Sequence, residues 1–238
     1  MSEKKAVVLA GGRGTRLRPY TVVLPKPLMP IGDYPILEVI IRQLVQQGFP
    51  HITLAINHQA ELFKTFFAHG ERWKAAIDFS LETKALGTMG PLKLIPDLPE
   101  HFLVMNGDIL TDLSYAGLME KHIQSGAVLT ISSHKRVQEI DYGVLEIGAD
   151  RFLEGFREKP KIPFEVSMGV YVLSRRALDF IPEDTLYGFD HLVLDLLKAG
   201  EKINVVEHEG YWLDIGRPDD YARAIEEFDS MKSQFIHE

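Results

Sequence analysis

Ala6-Val7-Val8-Leu9-Ala10-Gly11-Gly12-Arg13-Gly14-Thr15-Arg16-Leu17-Arg18-Pro19, followed shortly by Pro25-Lys26-Pro27-Leu28, decides how this chain folds. An apolar, strand-like run ends in three glycines within four residues, a backbone suited to close approach by a ligand. Without Cβ atoms, consecutive N–H groups can turn inward and cradle phosphate oxygens. Arg13, Arg16, Arg18 and Lys26 crowd cationic charge around the same loop, which suits a polyphosphate better than a neutral ligand. Two common phosphate signatures are excluded. A Walker loop needs Gly-Lys and then Ser or Thr, whereas Gly14 is followed by Thr15-Arg16. A dinucleotide fingerprint needs a third glycine where this chain has Leu17.

Outward from the loop, strand-like and helical stretches alternate, which favours a mostly parallel sheet covered by helices. Strands are expected at Ala6–Ala10, His51–Ile56, Ala76–Leu81, Phe102–Asn106, Ala127–Ser133 and Val166–Leu173. Leu37, Ile40, Ile41, Leu44 and Val45 recur at helical spacing, and further helices are expected over Leu113–Gln124, Arg175–Phe180, His191–Lys198 and Pro218–Met231. The chain has 238 residues, 45% of them hydrophobic, enough to bury a full core as one domain over residues 1–238. Within it, the Gly- and Pro-containing stretch from Tyr142 to Phe164 reads as a subdomain, at about residues 140–175, that covers the pocket.

The formal charge of −8 argues against a nucleic-acid or anionic-membrane surface. With no cysteine there is no disulfide framework and no thiolate chemistry. Met1-Ser2-Glu3-Lys4-Lys5 lacks the apolar core of a signal peptide, and no 18-residue apolar run follows, so a soluble cytoplasmic protein is expected.

Two carboxylates stand where chemistry is plausible. Asp108, in Asn106-Gly107-Asp108, directly follows the apolar run Phe102–Met105, and ligands gather at the carboxyl ends of strands in open α/β sheets. A carboxylate there suits Mg²⁺, which prefers oxygen donors; the alternative is an acid capping a turn or helix, a task that Asp112 could also perform. Asp214, in Tyr211-Trp212-Leu213-Asp214-Ile215-Gly216-Arg217-Pro218, is an isolated acid in an apolar run, costly to bury unless paired or bound to metal. The alternative is an ion pair with Arg217 or another basic group.

Leu9 to Leu17 together with Pro25-Lys26-Pro27 resembles the N-terminal signature of the sugar-1-phosphate nucleotidylyltransferases, and the resemblance extends from Leu9 to Tyr221. It implies a Rossmann-like α/β fold with a mixed, mostly parallel sheet flanked by helices. The hexapeptide repeats that form a C-terminal β-helix in larger relatives are missing from this sequence. By the same resemblance the phosphate oxygen of a sugar 1-phosphate attacks the α-phosphorus of an NTP and pyrophosphate leaves. Leu9, Ala10, Gly11, Gly12, Gly14, Thr15 and Arg16 would bind the nucleotide, and Arg16, Lys26, Asp108 and Asp214 would be catalytic, the two aspartates holding Mg²⁺. Glu82 and Leu86-Gly87-Thr88 form the implied base-recognition segment, with Gly87 letting the backbone approach the base. Asn106, Gly143, Glu158, Lys159 and Ser167 fall on the implied sugar-phosphate side. Pro160 disfavours helix at Lys159 and favours an extended backbone there.

Glu82 stands where many uridylyl- and thymidylyltransferases carry Gln. A carboxylate only accepts, which favours guanine, whose N1–H and N2–H₂ lie side by side. Ser167 departs from the family's usual Asn. Mannose and a manno-heptose are the sugars the resemblance favours, with a monomer or homodimer expected. Rival readings are uridylyl or thymidylyl transfer, a phosphocholine cytidylyltransferase, and a non-catalytic sensor of sugar nucleotides.

Overall fold

The computed structural model describes residues 4–12, 14–57 and 59–236; Arg13, counted above among the loop cations, lies outside the described residues. In chain order the elements are β1 (Lys5–Leu9), β2 (Pro30–Ile31), β3 (Tyr34–Pro35), α1 (Ile36–Gln46), β4 (His51–Ile56), α2 (Ala60–Phe67), β5 (Ala76–Leu81), β6 (His101–Asn106) and β7 (Ile109–Thr111). There follow α3 (Tyr115–Ser125), β8 (Leu129–Glu139), β9 (Val144–Ile147), β10 (Leu153–Arg157), β11 (Lys161–Ser174), α4 (Phe189–Lys198), β12 (Ile203–Glu207), β13 (Trp212–Asp214) and α5 (Pro218–Phe235).

Seven strands make one sheet in the order β12-β8-β11-β6-β1-β4-β5. All run parallel except β11, which is antiparallel to both its neighbours. The central strands read as continuous apolar runs because both faces are covered. Along β1 and β6, alternate residues serve opposite cores: Ala6, Val8, Leu103 and Met105 pack on one face, and Val7, Phe102 and Val104 on the other. On the first face α1 buries Leu37, Ile40, Ile41 and Leu44, and α5 adds Ala224 and Phe228. On the second α4 contributes Leu192 and Leu196.

The structure differs from the sequence expectations in several places. Arg175–Phe180 is a 3-10 turn rather than an α-helix, with Ala177 its one buried residue. The strands expected at Ala127–Ser133 and Val166–Leu173 are the inner parts of β8 and β11, which continue outward as a two-stranded arm. In the arm, register runs from Lys161↔Glu139 to Ser167↔Ser133, then shifts before Tyr171↔Ile131. The outer residues of β8 include Lys135, Arg136, Gln138 and Glu139, all exposed, so no apolar run marks them as strand. The antiparallel pair β9–β10 extends the same region. Neither α2 nor the edge strand β12 was expected. Among the described residues, no helix is long and apolar enough to cross a membrane.

Candidate active site

β1 ends at the carboxyl edge of the sheet and is pinned from two sides. Ala10 N–H donates to the Ala55 carbonyl at 2.8 Å, and the Leu9 carbonyl accepts from Gly107 N–H at 3.0 Å. The loop that follows admits backbone where side chains would collide. A Cβ on Gly11 would lie 2.7 Å from Glu82 Oε1 and 3.3 Å from Asn57 Nδ2, and Asn57 Nδ2 donates to the Gly11 carbonyl. Gly14 takes φ +59°, a left-handed conformation that favours glycine, and its carbonyl accepts from Thr21 Oγ1 at 2.7 Å. A 3-10 turn, Thr15–Leu17, then anchors the loop through buried Leu17.

A cleft of about 530 Å³ opens over this loop. Leu9, Ala10, Gly11, Gly12, Gly14, Thr15, Arg16 and Lys26 all line it. So do Glu82, Gly87, Thr88, Asn106 and Asp108. The structure therefore brings into one cleft residues scattered over the first 108 positions of the chain.

Lys26 is the hub of its charge pattern. It is only 8% exposed, forms an ion pair with Asp108 Oδ2, and lies 4.0 Å from Asp214 Oδ1. The two aspartates meet because β7 and β13 pair antiparallel, setting Asp214 opposite Ile109, while Ile215 N–H donates to the Asp108 carbonyl at 3.1 Å. Ser114 rather than either Asp108 or Asp112 caps α3, Asp112 pairs with His208 at 2.7 Å, and the basic group beside Asp214 is Lys26. Burial, reinforced by the Asp108 charge, pushes the Asp214 carboxyl up from its ordinary value; Lys26 and Arg16 pull the other way. Asp108 Oδ1 is buried with no hydrogen-bond partner among the described residues. An orphaned carboxylate oxygen beside a second carboxylate fits a hard divalent cation that draws its remaining ligands from phosphate and water. Among the described residues, no group of three or more acids and histidines surrounds the position.

At the base segment, Glu82 is buried and its Oε2 accepts Leu86 N–H at 3.0 Å; burial pushes its carboxyl up, the Leu86 bond opposing. Gly87 has φ +80°, and a Cβ there would lie 2.6 Å from the Tyr187 carbonyl oxygen. The close approach at Gly87 is thus made by the chain's own backbone. Thr88 Oγ1 accepts Phe189 N–H at 2.8 Å, tying the segment to the start of α4.

Of the residues on the implied sugar-phosphate side, Asn106 lines the cleft, whereas Gly143, Glu158, Lys159 and Ser167 do not; nor does Asp214. Gly143 packs against Phe156, where a Cβ would come to 2.5 Å, and near Glu158 Oε2. Glu158, Lys159 and Ser167 are exposed. Lys159 has φ +41°, left-handed rather than extended, because the chain reverses there between β10 and β11. This turn overrides the local preference that Pro160 imposes. Ser167 Oγ donates to Tyr171 Oη at 3.1 Å, and burial pushes the Tyr171 phenol up to about 12.

The family model described as nucleotidyl transferase matches residues 5–230. The chain belongs to the nucleotidyl transferase family. It is 34% identical to UTP–glucose-1-phosphate uridylyltransferase of Synechocystis over 93% of its own length and 62% of the relative's. It is likewise 34% identical to mannose-1-phosphate guanyltransferase of Yarrowia lipolytica, covering 91% of this chain and 62% of that one. The chain thus spans about six-tenths of the length of these relatives. Among solved structures, HddC from Yersinia pseudotuberculosis complexed with GMP-PN superposes with a TM-score of 0.72 at 28% identity, covering 94% of this chain and 99% of that one.

Residues of this nucleotidyl transferase that the sequence reading missed include Asn57 and the cleft-lining trio Ala85, Pro91 and Leu186. Asn57 directly follows β4, and its place at the carboxyl edge is a usable signal once the strand is assigned. Leu186 reaches the cleft from a loop far along the chain, which no local pattern reveals.

Proposed function

We propose that this chain transfers a nucleotidyl group from an NTP, GTP preferred, to a sugar 1-phosphate, giving an NDP-sugar and pyrophosphate. The observation that carries the reading is Lys26 paired with Asp108 in the cleft that the glycine loop lines, with Asp214 4.0 Å from the same Lys26. In the reaction a phosphate oxygen of the sugar 1-phosphate forms a bond to the α-phosphorus, and the bond from that phosphorus to the β-bridging oxygen breaks. The nucleophile is already an anion, so the protein's work is alignment and charge neutralisation. Gly11, Gly12, Gly14 and Thr15 present backbone donors to the triphosphate, and Arg16 offsets charge that grows on pyrophosphate. Lys26, fixed by Asp108, supplies positive charge at the α-phosphate. A divalent ion generally serves this family; here Asp108 and Asp214 would hold it, with Mg²⁺ suited to the all-oxygen set. Bound there, it would act as Lewis acid and template.

The arm over about residues 140–175 covers the sugar in this reading. Glu158 binds hydroxyls, Lys159 meets the sugar phosphate, and Gly143, Asn106 and Ser167 offer short polar or backbone contacts. The buried acceptor Glu82 supports guanine, and a mannose-type sugar accords with the guanyltransferase relative. Uridylyl transfer is the second reading, supported by the equally similar Synechocystis relative.

Pyrophosphate release measured over four NTPs and a panel of sugar 1-phosphates and phosphocholine tests the proposal. Release should require an NTP and a sugar 1-phosphate together, fastest with GTP. No release with any pair overturns the transferase reading; a preference for UTP or dTTP overturns only the choice of base.

A further inference from the structure

Leu186 is 65% exposed, yet its backbone surroundings are fixed. Tyr187 next to it is buried; its N–H donates to the Leu86 carbonyl at 2.9 Å, and its carbonyl accepts from Met89 and Gly90 at 3.0 and 3.1 Å. On the other side, Asp184 pairs with Lys84 at 2.6 Å. Residues 184–189 are thereby strapped to the segment carrying Ala85, Gly87 and Thr88, and Leu186 lines the same cleft with Ala85 and Pro91. A lone leucine on a surface needs no explanation, but one held on a bonded strap and lining the same cleft as Ala85 and Pro91 is placed for a ligand's flat face. Recognition sites combine such apolar walls with a few fixed polar groups, here Glu82 and Asn57.

We infer that Leu186 is the wall on which the nucleobase packs, and that it favours the larger face of a purine over a pyrimidine. The inference rests on the proposed nucleotide site. Its contact is made equally in ground and transition states, so it acts on nucleotide affinity rather than on the chemical step.

Titration calorimetry of the unmodified chain, Leu186→Ala and Leu186→Met with GTP, UTP and inorganic tripolyphosphate tests it. Leu186→Ala should weaken GTP roughly tenfold (about 1.4 kcal/mol), UTP less than about threefold and tripolyphosphate not at all. The volume-conserving Leu186→Met should stay within about twofold throughout. In turnover, Leu186→Ala should raise KM for GTP with kcat kept. Unchanged GTP affinity in Leu186→Ala, or equal weakening of all three ligands, overturns the wall. An unmodified chain that binds GTP and UTP no better than tripolyphosphate overturns the nucleotide site itself.

Discussion

The two ends of β6 bury polar groups on opposite terms. At its amino end, His101 meets His122 and Ser174 in a closed network: His122 Nδ1 contacts Thr130 Oγ1 at 2.8 Å, and its Nε2 contacts His101 Nδ1 and Ser174 Oγ, each at 3.1 Å. Ser174 Oγ also donates to the Ala127 carbonyl. At the carboxyl end, Asp108 leaves one buried oxygen without a partner among the described residues, and burial with the Asp108 charge disfavours the ionised form of Asp214. A polar network closed by the protein itself stabilises the fold, whereas one left open has valency for a ligand. Each substitution should therefore move either stability or turnover, according to the end it touches.

The largest effect expected is at the open end. Asp108→Asn and Asp214→Asn should each lower kcat by roughly 10²–10⁴-fold with saturating Mg²⁺, while thermal unfolding of Asp214→Asn stays level or shifts upward as a disfavoured charge is removed. Near-normal turnover in both variants, set beside lost stability, would invert the comparison. Lys26→Ala and Arg16→Ala come next, with kcat down by roughly 10²–10³-fold and circular dichroism unchanged.

The closed end predicts the opposite pattern. Burial, aided by His101, holds the His122 imidazole near about 4, below its ordinary 6.5. Between those pH values the unfolded chain binds a proton that the folded chain refuses, so stability rises with pH. Its contribution is complete above pH 6.5 and falls by roughly 3 kcal/mol as pH drops toward 4. Urea unfolding from pH 4 to 8 should show this slope, flattened in His122→Leu, whose kcat at pH 8 should match the unmodified chain.

Smaller effects sharpen the boundary of the open end. Glu82→Gln should erode discrimination between GTP and UTP by roughly 1–3 kcal/mol in kcat/KM, leaving phosphate contacts intact. Lys159→Ala should raise KM for the sugar phosphate by about tenfold (about 1.4 kcal/mol) with kcat kept, because that phosphate is anionic before and after attack. A fall in kcat at unchanged KM would place Lys159 with the moving charge instead.

Much of this contrast was legible in the residues. The strand running into Gly11-Gly12 and the aspartate after Phe102–Asn106 are local patterns, and local patterns survive without the rest of the fold. The meeting of Asp108 with Asp214 depends on a three-residue pairing of residues 101 to 105 positions apart, which no window of sequence contains. The outer halves of β8 and β11 were hidden because a strand exposed on both faces loses its period-two signature. Lys159 shows the converse: its proline neighbour gave a clear local preference, and the chain reversal at that point outweighed it.

β11 has a mechanical consequence. At about 3.3 Å per residue its 14 residues span roughly 45 Å, one end in the exposed arm and the other clamped between β6 and β8. The arm is therefore a cantilever rather than a hinged flap. Its root is the register shift between Ser167 and Tyr171, where Gly169 adopts φ +78° beside Asn106, so the base of the arm abuts the strand end that carries Asn106.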